Sequence, residues 1–284
     1  MKTKIKNVFK NSIFRKNSRL SKTYVTILSL SFSIICTIVF TLTFILALDS
    51  LIYDFPDEYF KSVSATLAEL ITIFLIFQSA ILSAVQIASE KEKQTFDLIL
   101  TTKLSSFDIA IGSFLSVSLQ VTVIFLSIMP LLAVGTLSSD INPFRFVIFV
   151  LNSLLTFYLF SAVGTFFSAL AKKNVLAILP SIAAIVISNL FNLIVYAALF
   201  STDFYRGYEG MPGFFAMLIP FAAPYYELTA ENYSFIWPLL FIPIKLCAIY
   251  GLIKLATKLV NPLKNNNQRK EAYKILERKL EERM

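Results

Sequence analysis

Histidine is absent from the 284 residues, which excludes histidine-based catalytic triads, histidine-ligated zinc and imidazole proton relays. Cysteine occurs twice, as Cys36 and Cys247, and both fall in long apolar runs. The pair offers no disulfide framework and points to two buried thiols. The seven glycines never assemble a G-x-x-x-x-G-K-[ST] phosphate loop, so this chain is not expected to hydrolyse nucleotide by itself. Charge is scarce too: 15% of the residues are charged against 56% hydrophobic, and the mean hydropathy is +0.70. That balance excludes an ordinary soluble domain and describes an integral membrane protein.

What is present is a series of apolar runs long enough to cross a hydrocarbon core of about 30 Å, which takes roughly 20 helical residues. Six are expected, near Val25 to Leu48, Ala65 to Ala88, Ile109 to Leu132, Phe146 to Leu170, Val175 to Phe200 and Phe235 to Leu255. The first is too long for a cleaved signal peptide and reads as an anchor. None shows the alternation of a barrel strand, so the fold class is all-α.

Lysine and arginine set the orientation, because they resist translocation. With the N-terminus inside, eight precede the first span, three lie between the second and third, two between the fourth and fifth, and nine follow from Lys254 onward. Only Lys61, Arg145 and Arg206 remain outside, while Lys245 lies within the sixth span. Both termini are therefore expected in the cytoplasm of a cell membrane. The acids Asp49, Asp54, Asp57, Glu58, Asp140, Asp203, Glu209, Glu227 and Glu231 fall outside. On this reading the net charge of +8 reports topology and anionic lipid, not nucleic acid.

The stretch ASEKEKQTFDLILTTKLSSFD, Ala88 to Asp108, is a charged interruption on the cytoplasmic side between the second and third spans. On a helix Phe96, Ile99, Leu100 and Leu104 form one apolar stripe, while Glu90, Lys93, Asp97 and Thr101 face elsewhere. Ser105 and Asp108 match the S-x-x-D capping signature, so one short helix ends and the third span begins there. Spacing alone leaves two readings open, a membrane-surface helix and a docking helix for a cytoplasmic partner.

The segment SEKEKQTFDLILTTKLSSFDIAIGSFLS resembles the E-x-E-x-G-T-[LF]-[DE]-L-L-L-[TS]-x-P-[LI]-S segment of type-2 ABC (ATP-binding cassette) transporter permeases. SIMPLLAVGTLSSDI, GTFFSALAKKNVLAILPS and FAAPYYELTA extend the likeness over Thr66 to Leu255, within an exporter-type group that includes multicopper-enzyme-maturation permeases. Gln94 stands where the family pattern has glycine, and Lys103 where it has proline. The resemblance implies that this segment is the coupling helix, which contacts the ATPase subunit through Glu90, Lys91, Glu92, Lys93, Thr95, Phe96, Asp97, Leu100 and Thr101. It further implies a second permease chain, same or homologous, and two separate ATP-binding subunits that carry the ATP and magnesium. On that view Phe96 is an apolar anchor for the partner, so Phe96→Ala should reduce coupling without disturbing insertion. Two readings from other classes stand beside it: a transporter or channel that works without ATP, and a membrane scaffold or sensor holding a cytoplasmic protein.

Three regions follow: a basic amphipathic interfacial helix over 1–22, the six-span permease domain over 23–260, and a charged cytoplasmic helix or tail over 261–284. Between spans five and six lies an apolar piece too short to cross, interrupted by Pro220 and Pro224, which suggests an interfacial or re-entrant hairpin. By resemblance it is a candidate lid over the exit, with Phe214, Phe215, Pro220 and Pro224. Ala80, Ala84 and Ala88, and likewise Gly164 and Ser168, form small-residue stripes suited to close helix contact. Glu69 and Lys245 are charges inside spans, where ionisable groups face protein or water. They are expected either to pair or snorkel, or to form a polar point in the substrate path. The phenylalanine-rich spans would suit a hydrophobic or amphipathic cargo.

Overall fold

Inside hydrocarbon every backbone N–H and C=O must be satisfied within the segment, so long apolar runs become helices. The computed structural model describes residues 57–96, 105–137, 142–200, 223–229 and 235–260, together with Leu218, Pro220 and Phe221. Six helices follow in order: α1 (Asp57–Glu92), α2 (Ser106–Leu137), α3 (Pro143–Leu170), α4 (Asn174–Phe200), the short α5 (Ala223–Thr229) and α6 (Ile236–Val260). No strand occurs among the described residues.

Five of these helices are long and apolar enough to cross a membrane, over Ser64–Glu92, Ser106–Pro130, Pro143–Leu170, Asn174–Phe191 and Ile236–Val260. They correspond to the second through sixth expected spans. The expected first span, the basic helix over 1–22 and the tail over 261–284 lie outside the described residues.

Local sequence sets the helix starts. Asn142 caps α3 by accepting the Phe144 amide on Oδ1 at 2.9 Å, and Pro143 occupies the first turn, where no N–H is needed. Ser105 and Asp108 form the expected capping box at α2. The Ser105 amide and hydroxyl donate to Asp108 Oδ2 at 3.1 and 2.7 Å, and the Asp108 amide donates to Ser105 Oγ at 3.1 Å.

α1 and α3 make the most extensive contact and α3 touches every other helix, so this pair is the centre of the bundle. Small residues let them approach. Ser83 and Ser161 share a hydrogen bond of 2.7 Å, and Ser168 Oγ accepts the amides of Ile87 and Ala88, each at 2.9 Å. A Cβ on Gly164 would lie 2.3 Å from the Ala80 carbonyl oxygen and 2.8 Å from Ser83 Cβ. Backbone cannot yield as a side-chain tip can, so Gly164→Ala forces the helices apart. It is expected to cost ~1–3 kcal/mol, read as a lower unfolding temperature in detergent.

The bundle has two ends. One carries the C-termini of α1, α3 and α6 with the N-termini of α2 and α4; it is called the Glu92 end, and the opposite the Asp57 end. α4 and α6 are the least covered spans and expose Leu179, Ile187, Phe191, Leu246 and Tyr250. Cys247 is exposed among them, contrary to the buried thiol expected from its place in a span. The physical reason is helical phase: Lys245, Ile249, Ile253 and Ala256 form the buried stripe of α6, and Cys247 falls on the opposite face.

Candidate functional site

At the Glu92 end, α1 terminates in a turn closed by backbone hydrogen bonds. The Gln94 amide donates to the Lys91 carbonyl at 3.1 Å and the Thr95 amide to the Glu90 carbonyl at 3.0 Å, the paired bonds of a Schellman motif. That motif needs a left-handed residue after the helix, and Gln94 supplies it with φ of 56°. Glycine would hold this conformation without the Cβ penalty. Gln94→Gly is therefore expected to stabilise the fold by ~1 kcal/mol, seen as a higher unfolding temperature.

Side chains fix the same turn. Thr95 Oγ1 donates to a Glu90 carboxylate oxygen at 2.6 Å. The Lys91 ammonium donates to the Ala169 carbonyl at the end of α3 and lies 5.5 Å from the centre of the Phe96 ring. Glu92 accepts the Asn174 amide at 3.1 Å, placing a carboxylate at the positive start of α4. Three helix ends, those of α1, α3 and α4, are thereby joined within residues 90–96.

Of the nine residues expected to meet an ATPase, Asp97, Leu100 and Thr101 lie outside the described residues. Glu92 and Lys93 are exposed, and Glu90, Lys91 and Thr95 are half-buried. Phe96, expected as an outward anchor, is 8% exposed and packs with Ile87, Ile109, Ala110, Ala169, Ala256 and Val260. It closes the base of the bundle.

Near the Asp57 end, a buried polar chain crosses from α6 to α5. Lys245 donates to Asn152 Oδ1 and, at 2.8 Å, to Thr156 Oγ1, both on α3. Asn152 Nδ2 then donates to Glu227 Oε1 at 2.6 Å. The chemistry fixes the amide orientation: an ammonium can only donate and a carboxylate accepts, so Asn152 must turn its oxygen to one and its nitrogen to the other. Arg145 Nε donates to the Glu227 carbonyl at 3.1 Å, and Glu227 Oε2 is buried without a hydrogen bond among the described residues. Burial raises the Glu227 carboxyl above the ordinary carboxylate range, opposed by the Asn152 hydrogen bond and by the Lys245 and Arg145 charges.

This chain corrects two expectations. Lys245 is not paired with Glu69; its hydrogen bonds go to α3, because α6 packs on α3 and α2 while Glu69 stands on α1. Glu227, counted among the outside acids, is completely buried. Asn152 and Lys245 each lie nine residues into their helices, ~14 Å along the axis, so α5 reaches that depth to meet them. The signal available in sequence was Asn152 and Thr156, one turn apart in an apolar run.

Of the candidate lid, Pro220 lies in a turn and Pro224 is buried in α5, whereas Phe214 and Phe215 lie outside the described residues. The Phe221 ring stands 6.1 Å from that of Phe77, and Leu228 joins the main core of α1, α2 and α3. Among the described residues no group of three or more metal-ligating side chains converges. Residues 51–257 match the family described as ABC-2 family transporter protein. A comparison with curated proteins finds no match.

Proposed function

Because this chain belongs to the ABC-2 transporter family, we propose that it is the permease subunit of an ABC exporter, related to the multicopper-enzyme-maturation permeases and driven by separate ATP-binding chains. Two permease chains, identical or homologous, pair with two ATPases, which hold the ATP and magnesium. The chain spans the membrane six times with both termini in the cytoplasm, so the Glu92 end faces the ATPases. The region from Glu90 to Thr101 is the coupling element, and the α5 hairpin lies on the exit side.

The observation that carries this reading is the tie among α1, α3 and α4 at the coupling turn. Movement imposed there by nucleotide-driven closure reaches three spans at once, through Lys91 to Ala169, Glu92 to Asn174 and Ser168 to Ile87 and Ala88. No slack loop intervenes at those contacts.

Affinity purification in mild detergent, with mass spectrometry of the recovered partners, tests the assignment. An ATP-binding cassette protein should copurify; recovery of this chain alone opposes it. Lys93 is exposed beside the turn, so Lys93→Glu should reduce partner recovery about tenfold, equivalent to roughly 1.4 kcal/mol, with an unchanged unfolding temperature.

A further inference from the structure

A cavity of about 690 Å³ opens at the Glu92 end, where the ends of α1, α3 and α6 meet. Lys91, Gln94, Phe96, Leu170, Lys172 and Leu259 are prominent in its wall. We propose that it binds the headgroup of an anionic phospholipid, with Lys91 and Lys172 facing the phosphate and Leu170 and Leu259 beside the acyl chains.

Charge is the first argument. The described lining contains two lysines and no acid. An ammonium has three hydrogens; the Lys91 group gives one to the Ala169 carbonyl, so it has donors left for a phosphate oxygen. An opposing effect must be weighed, because three helix C-termini converge here and each carries about half a negative charge. Lys91 already offsets the α3 terminus by direct contact, and Lys172 lies past that terminus at an exposed position. The lining therefore remains attractive to an anion.

Position is the second argument. The cavity lies where three membrane spans end, at the level of lipid headgroups. Leu170 is 50% exposed and Leu259 39% exposed, so its apolar wall continues outward onto the face of the bundle. A free phosphate has no use for those leucines, whereas a phospholipid satisfies cations and leucines together. The volume falls in the range of small-molecule sites, and basic pockets between spans are known to hold phosphorylated headgroups. Assigning the site to the cytoplasmic leaflet rests on the orientation proposed above; the binding itself does not.

The test uses the full chain purified in a non-ionic detergent without any ATPase, so its outcome is independent of the exporter reading. Native mass spectrometry with phosphatidylglycerol should show retained lipid, while phosphatidylcholine is lost. Lys172→Ala should weaken phosphatidylglycerol retention about fivefold, and Lys173→Ala, which changes an exposed neighbour outside the lining, should leave it unaltered. Equal loss in the two variants would reduce the effect to diffuse surface charge and overturn the site. Equal retention of phosphatidylcholine would overturn it as well. Displacement of the lipid by millimolar inorganic phosphate would mean that the cavity takes a soluble phosphate instead, against the lipid assignment.

Discussion

Lys245→Met lowers the stability of the purified chain by ~3–5 kcal/mol, because it leaves the Glu227 carboxylate buried without the cation that faces it through Asn152. Glu227→Gln does comparable harm from the other side, since the glutamine amide keeps the shape but strands the Lys245 ammonium. The double variant removes both charges and should return most of the loss, as replacing a whole buried pair often does. Additive losses in this cycle would show that the two residues do not interact. The pH dependence of the lysine variant has a definite sign. A carboxyl held above its ordinary range binds its proton more readily folded than unfolded, so lowering the pH into that window favours the folded state. The penalty of Lys245→Met should therefore shrink toward acid, measured as unfolding temperature across pH.

Phe96→Ala carries the second large effect, ~3–5 kcal/mol, from the emptied volume among Ile87, Ile109, Ala169, Ala256 and Val260. The expectation from sequence was reduced coupling with undisturbed insertion; burial of the ring adds a loss of stability to it. Phe96→Leu fills most of the space and should restore much of the stability, although the ring beneath the Lys91 ammonium is gone. Thermal unfolding of the two variants in one detergent decides the point. Full stability of Phe96→Ala would place the ring outside the bundle.

The spans were legible because lipid admits few backbone solutions: length and hydropathy located all five described spans. Small residues at Ala80, Ala84, Ala88, Gly164 and Ser168 announced close packing, and Ser105 and Asp108 announced a helix start, since both signals are local chemistry. Partners across the bundle were not legible. Phe96 was read as one residue of an apolar stripe whose other members lie outside the described residues, and such a stripe does not say whether another span or another protein covers it. Glu227 stood in a short segment between runs, where composition reads as exterior; only the approach of α5 to α3 puts it inside. Glu69 and Lys245 were matched as opposite charges inside spans, while the side of each helix that faced a neighbour decided otherwise. Cys247 failed for the same reason.

Proline is distributed unevenly across the bundle. α2, α4 and α6 carry Pro130, Pro180 and Pro243 within their length, whereas α1 has none and α3 has only Pro143 in its first turn. Each internal proline removes a backbone hydrogen bond and loosens its helix locally. The pair that carries the small-residue seam is thus the stiff strut of the molecule, and the three spans around it are jointed. Bending compliance resides in the joints, so a displacement at the α1 terminus travels along the strut with little loss and is taken up in its jointed neighbours.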